Sequence, residues 1–226
     1  MSMHLQRELD NLKKELLAIA AMVENATDKA LVALVERRGE LAREVVAEDD
    51  LIDNKEVHIE EECLKILALH QPMATDLRFV ITALKVNNDL ERVGDLAVNI
   101  AERAVYLSDK EMLTITLDFP KMTKEVMQML KSALDALTNQ DTRLAREVIV
   151  NDDIVDNYNR QMYKSLQHLM QDNPTTIKRA LHLLSASRHL ERIADLATNI
   201  CEDLIYMVEG EVIRHRPSDY LVEEEK

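Results

Sequence analysis

The chain has 226 residues, a length typical of one large domain or two small ones. Its 42 acidic residues outnumber its 28 basic residues, and the formal net charge of −14 argues against a nucleic-acid binder, which needs a basic surface to displace counterions. Three glycines and four prolines are too few for a sheet protein with many tight turns, whereas hydrophobic residues, at 46%, can fill a sizeable core. The composition therefore predicts long helices joined by few turns.

The sequence contains no candidate membrane or secretory segment. It has no run of about 18 apolar residues, and its N-terminal residues lack the apolar core of a signal peptide. The two cysteines, Cys63 and Cys201, stand alone inside helical patterns and are interpreted as small core residues. These features predict a cytoplasmic protein.

The first half of the chain predicts three helices. Apolar residues recur at alternating steps of four and three over 5–30, a spacing that gives a helix one buried face. Gly39 separates this pattern from a second one over 41–66, which ends near Pro72 because proline cannot continue a helix. A third helix restarts near Thr75 and Asp76, which are the predicted N-cap residues.

The second half predicts three further helices. A fourth opens at Pro120, and a fifth runs from Leu144 to the turn marked by Pro174. A sixth helix ends at Gly210, since glycine is the commonest residue just beyond a helix end.

The two halves of the chain repeat each other. Residues 41–54 read LAREVVAEDDLIDN, and residues 144–157 read LAREVIVNDDIVDN. Residues 89–107 read DLERVGDLAVNIAERAVYL, and residues 189–207 read HLERIADLATNICEDLIYM. The shared ERxxDLAxNIxE string is not low in complexity and indicates an internal duplication.

We therefore predict an all-α fold of two pseudo-symmetric three-helix bundles, built from six long helices. The predicted first repeat occupies 1–112 and the second occupies 113–216. Residues 217–226 are predicted to be a flexible acidic tail.

Acidic residues within the matched strings are spaced four apart, so each pair shares one helix face. The first repeat has the pairs Asp49 with Asp53 and Glu91 with Asp95. The second and third helices should form an antiparallel hairpin folded near Pro72. Residues equidistant from that turn should face each other, which places Asp53 opposite Glu91 and Asp49 opposite Asp95.

The second repeat has the same arrangement around Pro174, with Asp156 opposite Glu191 and Asp152 opposite Asp195. Like charges at this spacing repel by a few tenths of a kcal/mol per pair unless a cation neutralises them. Carboxylate oxygens suit Mg²⁺, Mn²⁺, Ca²⁺ or iron, and zinc is a further candidate. The sequence does not identify the ion.

Each acidic row continues into an asparagine, and the combined set forms the predicted metal ligands. These are Asp49, Asp53, Glu91, Asp95, Asn99, Asp152, Asp156, Glu191, Asp195 and Asn199. The rows lie nearly opposite the apolar stripes, so we expect them on an outward or lateral face. The alternative is an ordinary solvated helix face, but the reuse of all these acids in both repeats favours a metal site.

The sequence predicts no catalytic residue and no site for an organic cofactor. The strings ExxH, HExxH, GxGxxG and GxxxxGK[ST] do not occur, which argues against di-iron oxidase, zinc protease, dinucleotide and P-loop functions. Arg92 and Arg192 follow the motif glutamates and are expected to pair with nearby acids rather than to bind phosphate. No anion-binding loop is evident, so phosphate sensing is expected elsewhere.

The string ALHQPMATDLRFVITALKVNNDLERVGDLAVNIAERA, at 68–104, resembles the PhoU family of phosphate-signalling proteins, and the resemblance extends over nearly the whole chain. It implies two three-helix bundles, a cytoplasmic location, frequent homodimers and no enzymatic activity. It further implies repression of the phosphate-starvation response by linking a phosphate-specific ABC transporter, through its ATPase subunit, to a membrane sensor histidine kinase. Membrane association would then occur only through these partners.

The resemblance also implies multinuclear metal binding through the acidic motif, written E/DxxxD in that family. All eight acidic motif positions of this sequence keep an acid. Two alternative functions use the same carboxylates: a metal-storage scaffold and a metal-dependent enzyme.

Overall fold

The protein consists of seven α-helices and one short 3₁₀ helix in the computed structural model, which describes residues 3–115 and 117–213. The helices are α1 (Met3–Glu36), α2 (Gly39–Ala47), α3 (Asp49–His70), α4 (Thr75–Ser108), α5 (Phe119–Asn139), α6 (Thr142–Asp172) and α7 (Ile177–Glu209), with the 3₁₀ helix at Pro174–Thr176. No strand occurs in the described parts of the chain. The predicted all-α class is confirmed.

The helices form two bundles that share one seam. Helices α1, α2, α3 and α4 pack together, as do α5, α6 and α7, and the two groups meet chiefly along α4 and α7. These two helices run antiparallel, because Lys85 of α4 meets Asp203 of α7 while Arg103 meets Ser185. The predicted repeat boundary near 112 stays a prediction, and the predicted tail at 217–226 lies outside the described residues.

Long aliphatic side chains fill the interior of both bundles. Leu12 and Ile19 of α1, Leu90 of α4 and Leu190 and Ile193 of α7 are each at most 1% exposed. Burial of a side chain of this size stabilises the fold by about 1.5–3 kcal/mol. No helix in the described ranges is long and apolar enough to cross a bilayer.

The second predicted helix is not continuous. It divides at Glu48, whose N–H donates to the carbonyls of both Glu44 and Val45 and whose own carbonyl accepts from Leu51. Asp49 then becomes the first residue of α3. Asp49 and Asp50 are stabilised in the first turn of α3 by the positive end of the helix dipole, but α6 carries the same pair of acids, Asp152 and Asp153, so the acids alone do not cause the break. Its counterpart in the second repeat, α6, runs without interruption.

The α3–α4 hairpin turns where Pro72 predicted it. Helix α3 ends at His70, Gln71 adopts a left-handed conformation with φ of 46°, and α4 begins at Thr75. The prediction of Thr75 or Asp76 as the N-cap residue is wrong, because the capping position is Ala74, which has φ of 49° and no side-chain cap.

Candidate metal centre

Three carboxylates of the first repeat converge between α3 and α4. Asp49 and Asp53 lie one turn apart on α3, and Asp95 faces them from α4. One oxygen from each residue lies within 4.8 Å of the other two. Ligand oxygens sit about 2.0–2.6 Å from Mg²⁺ or Ca²⁺, so oxygens that share an ion are separated by at most about twice that distance. The three oxygens are therefore close enough together to share a single cation of the size of Ca²⁺, and small side-chain movements would fit them to a smaller ion.

A glycine allows the two helices to approach closely beside this cluster. A Cβ atom placed on Gly94 would lie 3.3 Å from both Cδ1 and Cγ2 of Ile52. These two residues directly precede Asp95 and Asp53. The corresponding residues in the second repeat are Val155 and Ala194, both buried. One repeat thus combines glycine with isoleucine and the other alanine with valine, so the combined side-chain volume is nearly constant.

The electrostatics of the cluster favour a bound cation. Burial, followed by the charges of Asp53, Asp95 and Asp50, raises the pKa of Asp49. Burial and the charge of Asp53 raise the pKa of Asp95. Oδ1 of Asp49 is buried and has no hydrogen-bond partner. Because a buried carboxylate oxygen costs free energy unless it is paired, this atom fits the role of a metal ligand.

Glu91 and Asn99 lie at the edges of the cluster. The pKa of Glu91 is raised by burial and then by the charges of Asp95 and Asp53, so its carboxylate is repelled by the acids of the cluster. Its oxygens are not among the three that converge. Nδ2 of Asn99 donates to the backbone carbonyl of Asp95 at 2.7 Å. This bond occupies the amide nitrogen, so the side-chain oxygen is the Asn99 atom that could accept a cation.

The acids of the second repeat are also crowded. Burial is the largest cause that raises the pKa of Asp152 to about 6, followed by the charges of Asp195, Asp156, Asp153 and Glu191. The four predicted acids of this repeat therefore lie close enough to interact. The tight three-oxygen arrangement, however, occurs only at Asp49, Asp53 and Asp95 within residues 3–115 and 117–213.

The two acidic rows open into one groove across the α4–α7 seam, a feature that the sequence did not predict. The groove has a volume of about 440 Å³. It is lined by Arg92, Asp95, Leu96 and Asn99 of α4 and by the matching Arg192, Asp195, Leu196 and Asn199 of α7. The candidate site is therefore bipartite, with one half from each repeat.

The groove arginines influence the acids without forming close ion pairs. Arg92 lowers the pKa of Glu91, and Arg192 lowers the pKa of Asp195, although burial and neighbouring acids dominate both shifts. Neither arginine lies within 4.0 Å of a carboxylate oxygen in the described parts of the chain. The expected direct pairing is therefore replaced by a weaker, longer-range interaction.

A polar bridge lies beside each cluster and was also missed from the sequence. Nδ2 of Asn87 donates to the backbone carbonyl of Glu56 at 2.9 Å and to its Oε1 at 3.2 Å. At the corresponding place in the second repeat, Oγ of Ser187 donates to Oδ1 of Asn159 at 2.6 Å. Each bond joins the two helices of its hairpin and holds their register. The signal in the sequence is that polar residues stand at corresponding positions just outside the matched strings, Glu56 with Asn87 in one repeat and Asn159 with Ser187 in the other.

Comparison with known proteins identifies the family. The PhoU domain model matches residues 16–104 and 119–204. The chain belongs to the PhoU family. Both matched segments contain the acidic row and the asparagine of one repeat, so the candidate site lies within the PhoU domain.

Individual relatives match over nearly their full length. A phosphate-specific transport system accessory protein PhoU homolog from Aquifex aeolicus is 42% identical over 214 residues, covering 95% of this chain and 97% of the relative. A homolog with the same description from Pseudomonas aeruginosa is 38% identical over 215 residues, covering 95% of this chain and 89% of the relative.

Solved structures show the same architecture. The crystal structure of PhoU from Pseudomonas aeruginosa matches with a TM-score of 0.88 and 37% identity, covering 91% of this chain and 99% of that one. The crystal structure of the phosphate transport system regulatory protein PhoU from Streptococcus pneumoniae matches with a TM-score of 0.85 and 33% identity, covering 92% of this chain and 98% of that one.

Proposed function

We propose that this protein is a cytoplasmic regulatory adaptor that represses the phosphate-starvation response by coupling a phosphate-specific ABC transporter to a sensor histidine kinase. The observation that carries the proposal is the match of both repeats to the PhoU domain. It is supported by relatives described as accessory proteins of the phosphate-specific transport system, which align with 95% of this chain. In this proposal, the protein acts as a homodimer and reaches the membrane only through the transporter ATPase subunit and the kinase.

The adaptor would act through a binding equilibrium. Its binding stabilises the kinase state that dephosphorylates the response regulator, and the transporter changes how much adaptor is available for that contact. To shift a kinase from mostly inactive to mostly active requires roughly 5 kcal/mol of differential affinity between the two states. Long helices packed on a shared core suit this role, because they present fixed surfaces to two partners at once.

The regulatory proposal is tested by deletion of the coding region. A reporter of the phosphate-starvation response should become active under phosphate excess, and the wild-type gene supplied in trans should silence it again. Membranes that contain the transporter and the kinase should retain the purified protein in a pull-down. An unaltered reporter in the deletion strain would contradict the proposal.

We further propose that the acidic clusters bind divalent or iron cations, with Asp49, Asp53 and Asp95 forming the principal site. The convergence of three oxygens and the unpartnered, buried Oδ1 of Asp49 support this assignment. A cation there would neutralise the crowded carboxylates and tie α3 to α4. Its role would then be structural, since it stiffens the hairpin on whose outer surface a partner binds.

The metal proposal is tested by metal analysis of the purified protein and by thermal denaturation. A cation at one hundred times its dissociation constant should stabilise the protein by about 2.7 kcal/mol. Asp95→Asn should abolish that gain and leave the metal-free protein at least as stable as the wild type, because it relieves repulsion. Asp135→Asn, a matched change at an exposed position on α5, should retain the gain. Equal metal binding by both variants would contradict the assignment.

A further inference from the structure

The two ends of the α4–α7 seam are pseudo-symmetric in position but opposite in charge. The duplication pairs each α4 residue with the α7 residue numbered one hundred higher. The contact between Lys85 and Asp203 at one end therefore corresponds to the contact between Ser185 and Arg103 at the other. The residues at the two ends of the seam can therefore be compared position by position.

At the first end, a cation is neutralised by a buried acid. Nζ of Lys85 lies 3.2 Å from Oδ1 of Asp203, whose side chain is only 2% exposed. The same ammonium lies 5.6 Å from the ring centroid of Tyr206. The positive charge thus has a carboxylate and an aromatic face within reach.

At the second end, the position of the buried acid is taken by an arginine that faces a hydroxyl and a histidine. Nε of Arg103 donates to Oγ of Ser185 at 3.3 Å, and that oxygen lies 3.1 Å from Nε2 of His189. The carboxylate that contacts Arg103 belongs to its chain neighbour Glu102, at 3.1 Å, and its side chain is 51% exposed. His189 occupies the place that Asp89 has at the first end. The first end of the seam thus has buried carboxylates, Asp89 and Asp203, at the positions where the second end has the hydrogen-bond donors His189 and Arg103.

Further cations surround this second end. The His182 ring stacks on Tyr106 with centroids 3.7 Å apart, and Lys110 lies 5.5 Å from the same tyrosine ring. Burial and then Arg103 lower the pKa of His182, while burial and then Arg179 lower that of Arg37. The positive groups at this end are therefore Arg103, Lys110 and the neighbouring pair of Arg37 and Arg179, in a chain whose net charge is −14. Arg179 also lies 3.5 Å from a carboxylate oxygen of Glu111. Nδ1 of His182 and Nδ1 of His189 are buried without a hydrogen-bond partner.

We propose that this end of the seam binds a tetrahedral oxyanion, of which inorganic phosphate is the test case, between Arg103, Ser185 and His189. A guanidinium can donate two parallel hydrogen bonds to such an ion. The Ser185 hydroxyl and the His189 imidazole bond each other, so with a neutral ring they add one further donor from the facing helix. The oxyanion would take the place that the Asp203 carboxylate fills at the first end. The inference replaces the expectation that phosphate is sensed elsewhere and does not depend on the metal assignment or on the adaptor role.

The test is isothermal titration calorimetry of the full chain with inorganic phosphate, at constant ionic strength. The protein is treated with a chelator first, so that phosphate bound to a metal ion cannot contribute. Saturable heat is expected for the wild type. Arg103→Gln should weaken binding by roughly ten- to a hundredfold, the usual range for loss of a charged hydrogen-bond donor. Arg143→Gln removes the same charge from an exposed position on α6 and should leave the affinity within about twofold.

A second variant keeps the proposal testable if Arg103→Gln perturbs the fold. Ser185→Asp places a carboxylate opposite Arg103, as Asp203 lies opposite Lys85, and should abolish phosphate binding while raising the melting temperature. No saturable heat in the wild type, or equal affinities in wild type, Arg103→Gln and Ser185→Asp, would overturn the proposal. Co-sedimentation with phosphatidylglycerol vesicles tests a lipid headgroup as the source of the phosphoryl group. Arg103-dependent sedimentation without heat from free phosphate would overturn the assignment to a free ion.

Discussion

The carboxyl of Asp152 should make the metal-free protein more stable as the pH falls. Its pKa is raised from 3.8 to about 6 in the folded protein by burial and by Asp195, Asp156 and other acids. A carboxyl with a raised folded-state pKa destabilises the fold when it is ionised. That penalty is full above a pH of about 6 and disappears as the pH falls toward about 4, because the folded state takes up a proton before the unfolded chain does.

The size of the effect follows from the change in pKa. At 1.36 kcal/mol per pKa unit, the change corresponds to an upper limit of about 3 kcal/mol. Asp152 is partly exposed, and solvent screening reduces the expected penalty to about 1 kcal/mol. Asp152→Asn should therefore stabilise the metal-free protein by about 1 kcal/mol near neutral pH and should make almost no difference near a pH of about 4.

Urea denaturation of the metal-free protein, followed by circular dichroism at a series of pH values, measures this difference directly. The free energy of unfolding of the wild type should rise as the pH falls from about 7 to about 5, and that of Asp152→Asn should rise less. Asp135→Asn, an exposed acid on α5 outside the cluster, should follow the wild-type curve. An Asp152→Asn variant with the wild-type pH dependence, or one less stable near neutral pH, would refute the electrostatic reasoning.

Two further predictions concern packing and thiol chemistry. Gly94→Ala adds a methyl group that meets Ile52. The crowding should cost roughly 1–3 kcal/mol, which cancels or exceeds the gain of about 1 kcal/mol that alanine brings to a helix interior. Ile52→Val removes one of the two contacting carbons, so a double-mutant cycle by urea denaturation should show a favourable coupling of about 1 kcal/mol. Additive losses would show that the two side chains do not compete for space. Burial raises the pKa of the Cys63 thiol to about 12 and that of Cys201 further. Neither should react with Ellman's reagent near neutral pH until urea unfolds the chain, and rapid reaction in the native protein would contradict the burial of both.

The helical architecture could be predicted because its determinants are local. The apolar spacing, Pro72 and Pro174 fix where helices run and where hairpins turn, and the duplicated strings fix that the arrangement occurs twice. The convergence of Asp49, Asp53 and Asp95 also follows from local geometry, since an antiparallel hairpin brings together residues equidistant from its turn.

Features that depend on packing between distant segments could not be predicted. Asp95 and Asp195 line the same groove only because α4 and α7 pack in a particular register, and no local rule brings together residues one hundred positions apart. The break at Glu48 was missed because no glycine or proline marks it, and because the matching string of the second repeat, with the same two consecutive acids, forms a continuous helix. The prediction of Thr75 or Asp76 as the cap failed because the turn after Pro72 places Ala74 at the capping position with a positive φ, and the N–H of Asp76 donates to the backbone carbonyl of Met73 instead of to a side chain.

The two ends of the α4–α7 seam carry residues of opposite charge at corresponding positions, so the two ends of the molecule are electrostatically distinct. A duplicated scaffold would otherwise present the same surface twice, and a partner could dock in two orientations related by the internal symmetry. With Asp203 buried at one end and Arg103 in the matching place at the other, the two orientations differ in electrostatic energy. A charged partner therefore has one preferred direction of approach, and the two ends of the bundle are free to serve different contacts.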